Sequence, residues 1–256
     1  MNSTTRAKRL NQIAVAAIAA TVLTTNGAFS QAPVNQGQTT MTSVQTLSQK
    51  QQAIPPISVA VAIGDMEQLR AALNQGLDAG LTVSDAKEIL VQMYAYTGFP
   101  RSLNALGELM KVVDARKQRG VQDAPGYDPA TPIPSGKDLL AAGTANQTKL
   151  SGGPVRGPLF DFAPAIDEYL KTHLFGDIFA RDNLDWQSRE LATVGALAGL
   201  AGVDSQLQSH IRISKNVGLT AAQLRNVADV LAERGQPQAA QRVRSAIEQV
   251  EAAPAR

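Results

Sequence analysis

Two side chains able to move a proton near neutral pH, Glu190 and His210, stand in the second half of this chain within reach of a single helix-turn-helix. A carboxylate facing an imidazole holds one tautomer and tunes the ring as donor or acceptor, the minimum equipment for proton transfer without a cofactor. Such a meeting requires two antiparallel helices joined by a bend near Ala201. Counted from that bend, Glu190 lies about 11 residues back and His210 about 9 forward. At ~1.5 Å per residue this places them about 16 and about 14 Å along the two helices, at similar depth. Each residue also has a simpler reading. Glu190 falls in the opening turns of its helix, where an acid favours the positive end of the dipole, and His210 shares a spacing-four stripe with Gln206 and Ser214 that suits a wetted face. His173 reads as structural or solvated, and two isolated histidines without ligand spacing argue against a metal site. Arg181, Arg189 and Arg212 are candidates to clamp a substrate carboxylate. Tyr94 and Tyr96 suit helix packing, Trp186 an anchor beside a helix start, and Asp182-Asn183 turn chemistry.

The elements that must position these groups occur twice. Leu69-Arg70-Ala71-Ala72-Leu73, leading to Ala79-Gly80-Leu81-Thr82, is matched by Leu207-Gln208-Ser209-His210-Ile211, leading to Val217-Gly218-Leu219-Thr220, with a constant offset of 138 residues. Where the second copy has His210 the first has Ala72, and opposite Glu190 the first has Gln52 or Ala53. The acid/base pair therefore survives in one copy. Gly98-Phe99-Pro100 and Gly235-Gln236-Pro237 repeat at an offset one shorter, which implies a single-residue deletion.

Aromatic residues are scarce, Ala, Leu, Val and Gln are abundant, and apolar residues recur at helical spacing, so the chain is expected to be all-α. In the first copy an apolar helix is expected from Ile57. A second over 65–79 stops at Gly80, and Thr82 with Asp85 opens a third whose buried face is Ile89, Leu90, Met93, Tyr94 and Tyr96. Leu103, Leu106, Leu109, Met110 and Val113 build the last helix. Residues 120–158 concentrate Pro and Gly and read as a connector, with at most one short helical piece over 137–143. In the second copy a helix over 160–174 is followed by one capped by Asp185, one over 205–216, and one opened by a Thr220/Gln223 capping box. The expected organisation is a first repeat over 43–119, the connector over 120–158, a second repeat over 159–250 and a flexible tail over 251–256.

The opening residues carry Arg6, Lys8 and Arg9, then an uncharged apolar run over 13–23 and small residues at 28–30, the layout of a secretory signal cleaved after Ser30. That run is well short of the ~20 residues of a spanning helix. Export to a periplasmic or extracellular compartment is expected, with a flexible segment over 31–42 at the mature start. Loss of the three leader cations takes the formal charge from +2 to −1, so the mature chain offers no basic surface for nucleic acid or anionic membranes. The sequence contains no cysteine. Disulfides, thiol peroxidase chemistry, Cys-X-X-Cys exchange and Cys-ligated zinc are excluded for this polypeptide.

Arg189-Glu190-Leu191-Ala192-Thr193, Leu197-Ala198-Gly199-Leu200, Gln206 through His210, and Val217-Gly218-Leu219-Thr220 with Gln223-Leu224-Arg225 together resemble the carboxymuconolactone decarboxylase family, which shares its fold with the alkylhydroperoxidase D proteins. The first copy agrees through residues 76–82, 87–90 and 96–106. The resemblance implies an all-α fold of two tandem alkylhydroperoxidase D-like repeats, assembled as a trimer of two-repeat chains that imitates a hexamer. The hydroperoxidase branch places two cysteines ahead of the histidine, and those positions are Val203 and Gln206 here, so its peroxidase chemistry does not carry over. The decarboxylase branch implies a lyase that needs no metal or organic cofactor and acts on a small carboxylated lactone or organic acid. His210 would be the acid, Glu190 its orienting partner, and Arg101, Arg189 and Tyr96 the candidate substrate-binding residues. The rival expectation is a helical oligomeric scaffold or small-ligand-binding module without catalysis.

Overall fold

The computed structural model describes residues 46–253; the leader expected over 1–30 and the segment 31–42 lie outside the described residues. These contain eleven α-helices, one π-helical stretch and no strand. The fold is all-α. The first four helices are α1 (Gln49–Ile63), α2 (Met66–Asp78), α3 (Val83–Thr97) and α4 (Phe99–Gln118). Then come α5 (Gly136–Ser151), α6 (Pro158–Phe162), α7 (Pro164–Tyr169) and the π-helical stretch Leu170–Ile178. The last four are α8 (Trp186–Gly199), α9 (Asp204–Asn216), α10 (Ala221–Glu233) and α11 (Pro237–Ala252).

Local chemistry explains most boundaries. Ser48, Asp65, Thr82, Asp185 and Thr220 each accept a backbone N–H of the first turn they precede, and Thr82 and Thr220 close capping boxes with Asp85 and Gln223. The starts of α2, α3 and α4 precede those of α9, α10 and α11 by the same 138 residues, whereas α1 precedes α8 by 137. A single-residue difference therefore falls within the first helix and its following bend taken together, residues 49–65 in one set and 186–203 in the other. This register pairs Ala53, rather than Gln52, with Glu190.

The most extensive helix contact joins α1 to α8. Both are buried nearly all round, α1 over residues 54–62 and α8 over 188–198, the pattern of central rather than surface helices. Their axes approach closely because α8 supplies glycine at the crossing: a Cβ on Gly195 would stand 2.7 Å from the Pro55 carbonyl oxygen, and one on Gly199 2.8 Å from the Ala62 methyl. Helix α8 also packs on α3, and α1 on α10, so the first helix of each set touches the third helix of the other.

Three segments depart from the sequence reading. Helix α1 begins at Gln49, not Ile57, and runs through Pro55 and Pro56. Two prolines forfeit two intrahelical hydrogen bonds, and complete burial against α8 offsets that loss. The connector is not mainly irregular, since residues Gly136–Ser151 form the sixteen-residue α5. Its stability is tertiary: α5 packs against the π-helical stretch at Gly143, where a Cβ would collide with the Lys171 carbonyl oxygen at 1.6 Å. The single helix expected over 160–174 is three pieces, broken at Ala163, whose φ of −130° and ψ of 71° precede Pro164.

The crossing generates a paired prediction. Gly195→Ala improves intrinsic helix propensity yet meets backbone of α1, so it lowers the thermal midpoint. Gly107→Ala, in α4 with no atom within 4 Å of the added methyl, raises stability by about 0.5–1 kcal/mol. Thermal melts of the two variants check this, and a stabilised Gly195→Ala protein would show that the α1/α8 contact is not tight.

Candidate functional site

Helices α8 and α9 run back from their bend side by side and bring Glu190 and His210 together. Glu190 Oε2 lies 2.8 Å from His210 Nδ1. An ionised carboxylate can only accept, so Nδ1 carries the proton in this pairing and Nε2 is left to exchange one with a substrate. Glu190 has no solvent exposure and its other oxygen, Oε1, has no hydrogen-bond partner. The imidazole is 12% exposed, which gives the pair a narrow outlet to the surface. Cavities of about 190, 520 and 510 Å³ lie elsewhere in the chain.

Tyr96 enters from the other set of helices. Its ring stands edge-on to His210 with centroids 6.0 Å apart, and its hydroxyl shares a 3.1 Å hydrogen bond with Thr193. Burial, followed by the negative charge of Glu190, pushes the Tyr96 phenol above its ordinary value. It therefore stays protonated and able to donate.

Behind these groups runs a buried polar seam. Gln92 of α3 donates through Nε2 to the Arg189 carbonyl at 2.8 Å and to the Thr193 hydroxyl at 2.9 Å, while its Oε1 accepts from Arg189 Nη1 at 3.2 Å. Arg189 Nη2 donates to Glu88 Oε1 at 2.9 Å and to the Arg181 carbonyl at 2.9 Å. Glu88 also accepts from Arg181 Nε at 2.7 Å and from Asn183 Nδ2 at 3.0 Å. Burial alone would raise the Glu88 carboxyl, but hydrogen bonds from Arg181, Arg189 and Asn183 and the Arg189 charge hold it below the usual carboxylate range. Burial also pulls the Arg189 guanidinium below its ordinary value, against the opposing charge of Glu88.

The sequence-derived residues thus separate. Glu190, His210 and Tyr96 meet. Arg189 does not face a substrate: it is fully buried and committed to Glu88, so its expected clamping role is replaced by a structural one, and Arg181 shares that commitment. Arg101 is exposed on α4, its Nε 3.9 Å from the Cβ position of Gly64, and it forms no hydrogen bond or ion pair with Glu190 or His210. His173 hydrogen-bonds Asp177 at 2.8 Å on the surface, and Trp186 donates to the Phe179 carbonyl at 2.9 Å. Asp182 accepts from the backbone of Ala130 and Thr131, tying the connector down, while Asn183 serves Glu88. Among the described residues no group of three potential ligands gathers for a metal ion. The sequence reading missed Glu88, Gln92 and Thr193. A signal existed: Glu88, Gln92 and Tyr96 recur at spacing four along α3, as Arg189 and Thr193 do along α8.

The seam sets an acid limit on stability. Because the folded Glu88 carboxyl titrates below its unfolded value of about 4.3, its contribution is fully present above that pH and is lost as pH falls toward the depressed folded value. Glu88→Gln leaves Arg189 buried without its counter-charge, a loss of about 3–5 kcal/mol at pH 7, and flattens the pH dependence in that window. Denaturant melts at neutral and acid pH measure both effects, and an unchanged neutral-pH midpoint would contradict the assigned pairing.

Residues 164–249 match the family model described as the carboxymuconolactone decarboxylase family. No curated protein matches the chain. The matched span holds α8, α9 and α10 complete and α11 as far as residue 249, and with them Glu190, Thr193 and His210. Over residues 164–249 the chain is therefore similar to the carboxymuconolactone decarboxylase family.

Proposed function

We propose that the protein is an exported, cofactor-independent lyase of the carboxymuconolactone decarboxylase type, acting on a small unsaturated lactone or organic acid at the Glu190–His210 pair. The observation that carries this reading is the 2.8 Å contact between a buried carboxylate and a partly exposed imidazole, with the second carboxylate oxygen unpartnered. In the proposed reaction the bond to the substrate's carboxylate carbon breaks and carbon dioxide leaves. The electron pair spreads into the conjugated lactone, and the imidazolium Nε2 delivers a proton to the carbon that has become electron-rich. Glu190 steadies the imidazolium through Nδ1, and solvent restores the proton. The Tyr96 hydroxyl is the donor best placed to hold the delocalised negative charge.

Export rests on the leader layout of the first thirty residues. The two helix sets, with matching starts and reciprocal packing, support a duplicated unit of which only the second kept the acid/base pair. Exposed Phe99, Leu103 and Met110 on α4 support assembly into the trimer of two-repeat chains. A non-catalytic binding module is the second reading, favoured by a cavity of about 190 Å³ whose wall does not include His210.

The discriminating experiment is a decarboxylation and lactone-isomerisation screen of the mature protein against small unsaturated acids, with native mass measured alongside. His210→Ala is expected to lower turnover by about 10²–10⁴-fold without changing helical content or assembly. Tyr96→Phe is expected to lower it by about 10²–10³-fold, with kcat affected more than KM. Full activity in His210→Ala would remove the assignment, and a monomeric mass would remove the trimer.

A further inference from the structure

The Glu190–His210 pair has a counterpart in the first set of helices from which both working side chains are gone. In the register of the helix starts, Ala53 stands for Glu190, Ala72 for His210 and Arg234 for Tyr96. The exchange between halves is reciprocal: Tyr96 of α3 reaches His210, and Arg234, at the end of α10, lines the same cavity as Ala72. Replacement of a carboxylate and an imidazole by two methyl groups leaves room. A cavity of about 190 Å³ is walled by Ala53, Pro56, Ala72, Gln52, Gln75 and Arg234, among others.

We infer that this cavity binds a small hydroxylated carboxylic acid, with the carboxylate on the Arg234 guanidinium, the carbon skeleton against Ala53, Pro56 and Ala72, and the hydroxyl on the amide groups of the wall. Arg234 hydrogen-bonds Gln75 and forms no ion pair with a carboxylate among the described residues, so its planar fork is free for a carboxylate ligand. Arg234 also lines the adjoining void of about 520 Å³, whose wall includes Glu233; Glu233 is not in the wall of the smaller cavity. The side-chain amides of Gln49, Gln52 and Gln75 in the wall can pair with the hydroxyl. Pro56 has no N–H to give, so the Gln52 carbonyl lacks its intrahelical partner. Cavities of about 150 Å³ hold a benzene-sized molecule, so the space admits a single ring or a short chain. With no acid/base pair in the wall, the site binds without turning over. This inference goes beyond the reaction proposed at Glu190 and His210 and does not depend on it.

Calorimetric titration of the full chain with 4-hydroxybenzoate and with malate tests it, with 4-hydroxybenzamide as the uncharged isostere. The expected result is saturable binding of one acid per chain, at least about tenfold weaker for the amide and for Arg234→Gln, and unchanged in His210→Ala. Arg234 is exposed, so its replacement leaves the fold intact, as circular dichroism will verify. Ala72→Leu fills the cavity and is expected to abolish binding; should that variant misfold, the Arg234→Gln and amide comparisons decide alone. Absence of binding of both acids at millimolar concentration, equal binding of acid and amide, indifference to Arg234→Gln, or loss in His210→Ala would each overturn the inference.

Discussion

The ion pair of Glu88 with Arg189 is the constraint on which the site rests. It joins α3 to α8 in a place with almost no solvent, where neither charge is tolerable without the other. Because Arg189 immediately precedes Glu190, whatever holds the guanidinium also sets the rotation of α8 that aims the neighbouring carboxylate at His210. Gln92 reinforces that rotation by bonding both the backbone and the side chain of α8. The same helix α3 then presents Tyr96 one turn further on. A single buried polar seam thus couples the docking of the two helix sets to the geometry of the Glu190–His210 pair.

Such a seam is a costly way to make a core, since apolar packing would stabilise as well or better. Its value here is register. The α1/α8 crossing is built from small residues and glycine, and close backbone contact of this kind permits sliding unless something directional opposes it. Hydrogen bonds from Gln92, Arg181 and Asn183 have fixed lengths and directions, and they are satisfied in one docking only. The corresponding positions of the two helix sets differ: one has carboxylate and imidazole beside a tyrosine, while the other has two alanines, a cavity and an arginine.

Much of the helix map was readable from residues. Thr82 with Asp85, Thr220 with Gln223, and Asp185 are caps whose partners lie three positions away, so their geometry follows from short-range chemistry. Segments stabilised from a distance were less legible. Proline at 55 and 56 argues against a helix locally, and only the embrace of α8 keeps α1 continuous. Glycine density around 136–153 reads as loop, yet Gly143 is the residue that lets α5 lie against the π-helical stretch. Arg189 looked like a substrate clamp because its buried partner, Glu88, is over a hundred positions away in the chain.

What the sequence determined by itself was the helical period, the caps, the absence of thiol chemistry, and the presence of Glu190 and His210 at matched depth on consecutive helices. Those properties depend on backbone geometry and on neighbours within a few turns. The tertiary structure alone decided that Tyr96 belongs to His210, that Arg189 belongs to Glu88, and that Arg234 and Ala72 line one cavity. Each of these pairings joins helices from opposite ends of the chain, and which faces meet is set by the packing of whole surfaces, a quantity that no local spacing contains.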